Sequence, residues 1–253
     1  MQDSPDPAKL KAQVIEARGY WHPFHEGLLE LAPDYLAAYL AFQDAPARSG
    51  RLEPKIREFI YIAADGAVSH LYSSGLQRHI GMALEKGATP REVLEVIELT
   101  MLTAHAPHEM GLRILAEEMA AAGSQQDEMT RPLSADEERR KKRHIEATGR
   151  WPACGDILFR LAPDFVDAFL AYEAIPYAKG TLAPKVKDMI LIAVSAAPTM
   201  LDATATRRHI RAALGNGATG EEIAEILQLT SAISIHTCTA AVPALMDAIR
   251  AGA

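Results

Sequence analysis

Leu76–Thr89 reads LQRHIGMALEKGAT, and Thr206–Thr219 reads TRRHIRAALGNGAT. The two phrases place His79 and His209 at the same point and close on the same Gly-Ala-Thr. His209 follows His79 at the interval that separates Leu161-Ala162-Pro163-Asp164 from Leu31-Ala32-Pro33-Asp34. VIEARGYW, beginning at Val14, returns at that interval as HIEATGRW from His144. One register therefore runs through both halves, and the chain reads as a tandem duplication.

Every strong periodicity in the repeated unit is helical. APDYLAAYLAFQDAP (from Ala32) and APDFVDAFLAYEAIP (from Ala162) place apolar residues at helical intervals. Pro33 and Pro163 mark their starts, and Pro46 and Pro176 are expected near their ends. PKIREFIYIAA and PKVKDMILIAVSAA each begin at a proline and are apolar almost all round, as expected of a buried central helix. The quoted phrase forms the next helix and stops at Gly87 or Gly217. Thr89 with Glu92, and Thr219 with Glu222, have the spacing of a capping box, and Ser134 with Glu137 offers a third. These signals predict an all-α fold. A first repeat is expected over residues 1–122, a linker rich in small and polar residues over 123–133, and a second repeat over 134–253.

Composition narrows the function. The 253 residues are 49% hydrophobic and 23% charged, as in a globular chain, and no apolar run stands out at the length of a membrane span. The net charge of −7 argues against a surface that neutralises nucleic-acid phosphates. The basic run Arg139–Arg143 follows Asp136-Glu137-Glu138 and reads as a solvated helix face. Two cysteines, Cys154 and Cys238, suggest neither a disulfide framework nor a metal site. The expectation is a cytoplasmic protein with a small-molecule substrate, and no nucleic-acid or membrane partner.

Candidate chemistry lies where the repeats agree and where they differ. Glu58 and Asp188 occupy equivalent places on the apolar helices, so each half can set a carboxylate against its shared histidine. Such a pair orients an imidazole and makes it a usable acid or base near neutrality, although a polar core can use the same contact for stability alone. The first half adds His70, Tyr72, His105 and His108, where the second has Met200, Asp202, Ile235 and Cys238. His236 is the second half's own addition, opposite Ala106. His79, His70, Glu58 and Tyr72 are therefore the catalytic candidates of the first half, and His209, His236 and Asp188 those of the second. Metal is the weaker reading, because no H-x-x-x-H or H-E-x-x-H pair is present. Arg78, Arg207 and Arg208 flank the inward histidines and read as surface or interface charges.

The pattern of a glutamate, an apolar helix, His-Ile-x-x-Ala-Leu-x-x-Gly-Ala-Thr-x-x-Glu and a further apolar helix resembles the carboxymuconolactone decarboxylase family, which includes alkylhydroperoxidase D-like proteins. The resemblance covers roughly Leu52–Glu118 and Leu182–Ile249. It implies the helical fold of that family in two copies. The family's redox members carry Cys-x-x-Cys, with the second cysteine four residues before the histidine. Those places are Tyr72 and Gly75 here, and Asp202 and Ala205 in the second half. No thiol pair is left there to reduce a peroxide, so the resemblance favours the decarboxylase branch. In that chemistry, loss of carbon dioxide from a carboxylated lactone leaves electrons that the conjugated ring accepts, so no cofactor is required. A thiol-free hydrolase or isomerase, or a non-catalytic oligomeric binding protein, would fit the same residues. Single-repeat members commonly form six-membered rings, so the resemblance implies three copies of this two-repeat chain.

Overall fold

The computed structural model describes residues 5–124 and 126–252, and among them every regular element is helical. The ends of the expected domains at residues 1–4 and 253, and residue 125 of the expected linker, lie outside the described residues. The first repeat comprises α1 (Pro7–Arg18), α2 (Pro23–Leu31), α3 (Pro33–Ser49), α4 (Pro54–Gly66), α5 (Ser73–Glu85), α6 (Pro90–Leu102) and, after a 3-10 turn at Thr103–His105, α7 (Ala106–Ala121). The connecting segment holds a short helix, α8 (Gln126–Thr130). The second repeat comprises α9 (Ala135–Thr148), α10 (Gly155–Leu161), α11 (Pro163–Ala178), α12 (Pro184–Ala196), α13 (Ala203–Gly215), α14 (Gly220–Ala232), a 3-10 turn at Ile233–Ile235, and α15 (His236–Arg250).

The local signals act as their chemistry requires. Thr89, Thr219 and Ser134 each accept a backbone N–H three residues on, and Glu92, Glu222 and Glu137 reach back to close the capping boxes. Gly87 and Gly217 adopt left-handed φ of 85° and 86° just past α5 and α13. Pro46 and Pro176 lie near the ends of their helices as expected, α3 finishing at Ser49 and α11 at Ala178. Both prolines are buried within the last turn, and each removes one i→i−4 hydrogen bond from its helix.

One sequence expectation is corrected. Gly220–Arg250 is a continuous helical run long and apolar enough to cross a membrane by length and composition. Its two parts have separate protein partners, because the 3-10 turn at Ile233–Ile235 divides it. α14 packs into the central core and α15 lies on α2.

The central helices of the two repeats share one core. Phe59, Ile60 and Ile62 of α4 pack in the same cluster as Met189, Ile190 and Ile192 of α12, with Val96, Leu99, Ile226 and Leu229 of α6 and α14 around them. Burying these side chains removes roughly 1.5–3 kcal/mol each of apolar exposure, and neither repeat could do so alone. Two carboxylates clamp the joint. Glu95 of α6 accepts hydrogen bonds from the Thr181 and Leu182 backbone and lies 3.0 Å from the Lys187 ammonium. Its counterpart Glu225 of α14 accepts from Ser49 and the Arg51 backbone and pairs with Arg57 at 2.7 Å.

The repeats also exchange their last helices. α15 packs on α2, so Ile235, Cys238 and Val242 join Leu10, Phe24, Leu28 and Leu36 of the first repeat in one cluster. α7 packs on α10, where Leu112 meets Leu158 and Phe159. The α2–α15 crossing is tight at Gly27, where an added Cβ would fall 2.5 Å from Val242 and 2.9 Å from Met246. Each end of the molecule is thus built from both halves of the chain.

Candidate functional site

The exchange creates two related pockets. The first is walled by α1 and the turn after it (Arg18, Tyr20, His22), by α3 and α4 (Tyr39, Gln43, Tyr61), by α5 and its approach (Tyr72, Gly75, Arg78, His79), and by Ile235, His236 and Thr239 of the second repeat. The cavity between these walls is about 40 Å³, room for ordered water as it stands. The second pocket mirrors it with Arg150, Glu173, Leu191, Asp202, Ala205, Arg208 and His209, and is closed by Thr103, His105 and Glu109 from the first repeat.

The pairing of Glu58 with His79 is present, with Glu58 Oε2 2.7 Å from His79 Nδ1. Lys86 donates to the other oxygen of the carboxylate. Burial works to raise the Glu58 pKa, but the hydrogen bonds from His79 and Lys86 outweigh it and hold the group below the usual carboxylate range. With Nδ1 engaged and the ring stacked on Tyr61 at 4.4 Å, His79 has its Nε2 edge left for the pocket it lines. In the second repeat His209 Nδ1 lies 3.1 Å from Asp188, and Asn216 takes the place of Lys86. Burial lowers the His209 pKa despite that hydrogen bond.

His70, Tyr72 and His236 form a second cluster. His70 Nε2 is 2.8 Å from His236 Nδ1, and the Tyr72 ring stacks on His236 with centroids 3.7 Å apart. This corrects the assignment of His236 to the second half's candidates: the α15 crossover delivers it to the first pocket, whereas His209 lines the second. His70 stands behind His236 and does not line the pocket. The crossover works in reverse for His105, which lines the second pocket, and for His108, which packs on Phe165 and Phe169 of α11.

Several site residues escaped sequence reasoning. Arg78 and Arg208 are not plain surface charges, since each reaches over the rim of its pocket, whereas Arg207 lines an outer groove along α13. The Arg78 guanidinium stacks 3.7 Å from the Tyr20 ring and donates to His22. Arg18, Tyr20 and His22 belong to a turn some sixty residues before His79, a separation that no local pattern spans. The one legible signal was agreement between repeats, because an arginine precedes both shared histidines.

The pockets differ in electrostatics. In the second, Arg150 lies 3.5 Å from Glu173, and Arg208 lies 3.4 Å from Glu109. In the first, the residues equivalent to Glu173 and Glu109 are Gln43 and Thr239. Among the described residues, neither Arg18 nor Arg78 makes an ion pair, and Arg18 Nε is buried without a hydrogen-bond partner. Two guanidiniums without a carboxylate leave this wall with uncompensated positive charge.

The cysteines stand apart from both pockets. Cys154 packs with Leu158 and Phe159, and burial pushes its thiol up to about 12. Cys238 packs against the α1–α3 cluster.

A helical repeat with a carboxylate-anchored histidine at the head of each pocket defines the class. The sequence profile of the carboxymuconolactone decarboxylase family matches residues 33–118 and 163–253, and the chain belongs to that family. It is similar to a protein from Burkholderia xenovorans LB400 whose crystal structure is described, provisionally, as that of a gamma-carboxymuconolactone decarboxylase subunit. The two share 33% identity over 99% of this chain and 100% of that one, with a TM-score of 0.92. No curated protein matches the sequence significantly.

Proposed function

We propose that the chain is a lyase that removes carbon dioxide from a small carboxylated lactone in its first pocket. The observation that carries this reading is the pair of arginines, Arg18 and Arg78, which line that pocket without acidic partners while the arginines of the second pocket are neutralised. The charge of the first pocket suits an anionic substrate, for which the side chains lining it must move apart, whereas such a substrate would compete with Glu173 and Glu109 in the second.

In this reading Arg18 and Arg78 bind and orient the substrate carboxylates. The carbon–carbon bond to the leaving carboxylate breaks, carbon dioxide departs, and the electron pair passes into the conjugated lactone as a dienolate. Positive charge on the wall stabilises that developing oxyanion. His79, protonated on both ring nitrogens against the Glu58 carboxylate, delivers its Nε2 proton to carbon and regains one from solvent. Glu58 and Lys86 hold the imidazole in place, as positioning residues.

The test is release of carbon dioxide from a panel of carboxylated lactones and keto acids. Turnover of a carboxylated lactone, and none of its decarboxylated or esterified analogue, is expected. Hydrolysis or isomerisation without carbon dioxide release would replace the reading with another reaction on the same pocket.

A further inference from the structure

We propose that Asp65, His70 and His236 form a binding site for a divalent first-row transition-metal ion, set in the wall of the first pocket. The three residues come from the end of α4, the turn that follows it and the start of α15. One ligand atom from each lies within 4.8 Å of the others. His70 Nε2 and His236 Nδ1 are 2.8 Å apart, and Asp65 Oδ1 is 3.8 Å from His236 Nδ1. Ligands at about 2.0–2.2 Å from a common ion stand roughly 3–3.5 Å from one another, so small rotations of these side chains complete the set. Two imidazoles and a carboxylate suit ions such as Zn²⁺, Fe²⁺ or Co²⁺ and leave open positions for water or a ligand.

Asp65 supplies an independent observation. Its residue is 0% exposed, and among the described residues neither carboxylate oxygen has a hydrogen-bond partner. A buried carboxyl without partners is costly to the fold unless something fills its coordination. The neighbourhood is shaped to admit it. A Cβ on Gly75 would collide with the Asp65 carboxylate and the Tyr72 ring, so only glycine leaves the space.

The second repeat is a control within the molecule. Ser195 stands in place of Asp65, Met200 in place of His70, Ala106 in place of His236 and Ala205 in place of Gly75. Ser195 is satisfied locally, donating to Leu191 O and accepting from Thr206. The fold therefore needs none of the three ligands, and all three change together with the glycine that makes room for them. The turn that carries His70 is fixed in both repeats by the same contacts: Tyr72 N donates to Asp65 O, and Leu71, like Leu201, takes a positive φ. Stacking of Tyr72 on His236 orients that imidazole as an outer-shell partner would.

The site is tested by metal content, which does not depend on the decarboxylase reading. The full chain, stripped with a chelator, is titrated with Co²⁺ as probe, following the visible ligand-field bands, and Zn²⁺ displacement and elemental analysis give stoichiometry. One ion per chain with micromolar or tighter affinity is expected. Asp65→Ser, His70→Met and His236→Ala install residues that the other repeat tolerates, and each should weaken binding at least tenfold while retaining the helical spectrum. His209→Asn and His25→Gln should bind as the parent does. The proposal is overturned if the parent binds no stoichiometric ion, or if the three folded variants bind it unchanged.

Discussion

His79 and His209 occupy equivalent positions, yet their surroundings assign them different work. His79 opens on a pocket with unpaired arginines, whereas His209 lies beside Asp188 in a pocket whose arginines are already neutralised. His79→Asn is expected to lower turnover about 100-fold or more, as removal of a general acid–base group does, with a Tm loss of the same order as that of His209→Asn because it too takes a buried histidine from its carboxylate. His209→Asn should lower Tm but leave turnover within about threefold, since it costs roughly 1–3 kcal/mol by unpairing a buried group. Parallel rate and melting measurements distinguish them, and the reverse pattern would move the working site to the second pocket. His25 contributes to the pH dependence of stability at this end, alongside His236, which burial also lowers to about 4, and against Asp65, which burial raises to about 7. Burial, then the charges of His22, Arg18 and Arg78, lowers His25 to about 4, and its Nδ1 accepts from His22 N. The unfolded chain therefore takes up the proton first, so the contribution of His25 is intact above pH ~6.5 and is lost as pH falls toward 4. Over that window Tm should fall less in His25→Gln than in the parent, by roughly 3 °C or more, and identical profiles in the two would contradict this.

At the scale of elements, what could be read from the sequence was what local chemistry decides. Prolines at N1, threonine caps and glycine stops placed the helices, and the duplicated phrase fixed their register. The crossover was illegible: nothing near His236 says that α15 docks on α2, since that choice is made by Ile235, Val242 and Gly27 across the whole chain. The pairing of Glu58 with His79 was legible, because both repeats keep a carboxylate and a histidine at fixed places. The cationic wall was not, because Arg18 and Tyr20 reach the site through tertiary packing. Glu95 and Glu225 were also missed. As exposed helix residues they would be unremarkable, but each is buried against the other repeat. Glu95→Gln leaves the Lys187 charge uncompensated and should cost about 3 kcal/mol, seen as a Tm loss of roughly 6–12 °C with the helical spectrum retained. A shift under about 1 °C would remove the clamp from the account.

At the scale of the whole molecule, one pocket has two arginines without acidic partners among the described residues, while in its twin both arginines face carboxylates. The expectation of a trimer stands as a proposal, supported by exposed apolar residues that recur at equivalent places: Leu71 with Leu201 and Leu84 with Leu214. Two such faces per chain allow a closed ring of three. Light scattering should give about three times 27.5 kDa, reduced in the Leu84→Glu, Leu214→Glu double variant, and a monomer at micromolar concentration would refute the ring. The central claim is that catalysis belongs to the pocket whose arginines are unpaired. It is tested most directly by kcat/KM for carbon dioxide release from a responsive carboxylated lactone in two double variants, Arg18→Gln with Arg78→Gln, and Arg150→Gln with Arg208→Gln. The account predicts a loss of roughly 100-fold or more in the first pair, the scale of losing two charge-assisted contacts, and a change within about threefold in the second. Loss of activity in the second pair with retention in the first would contradict it.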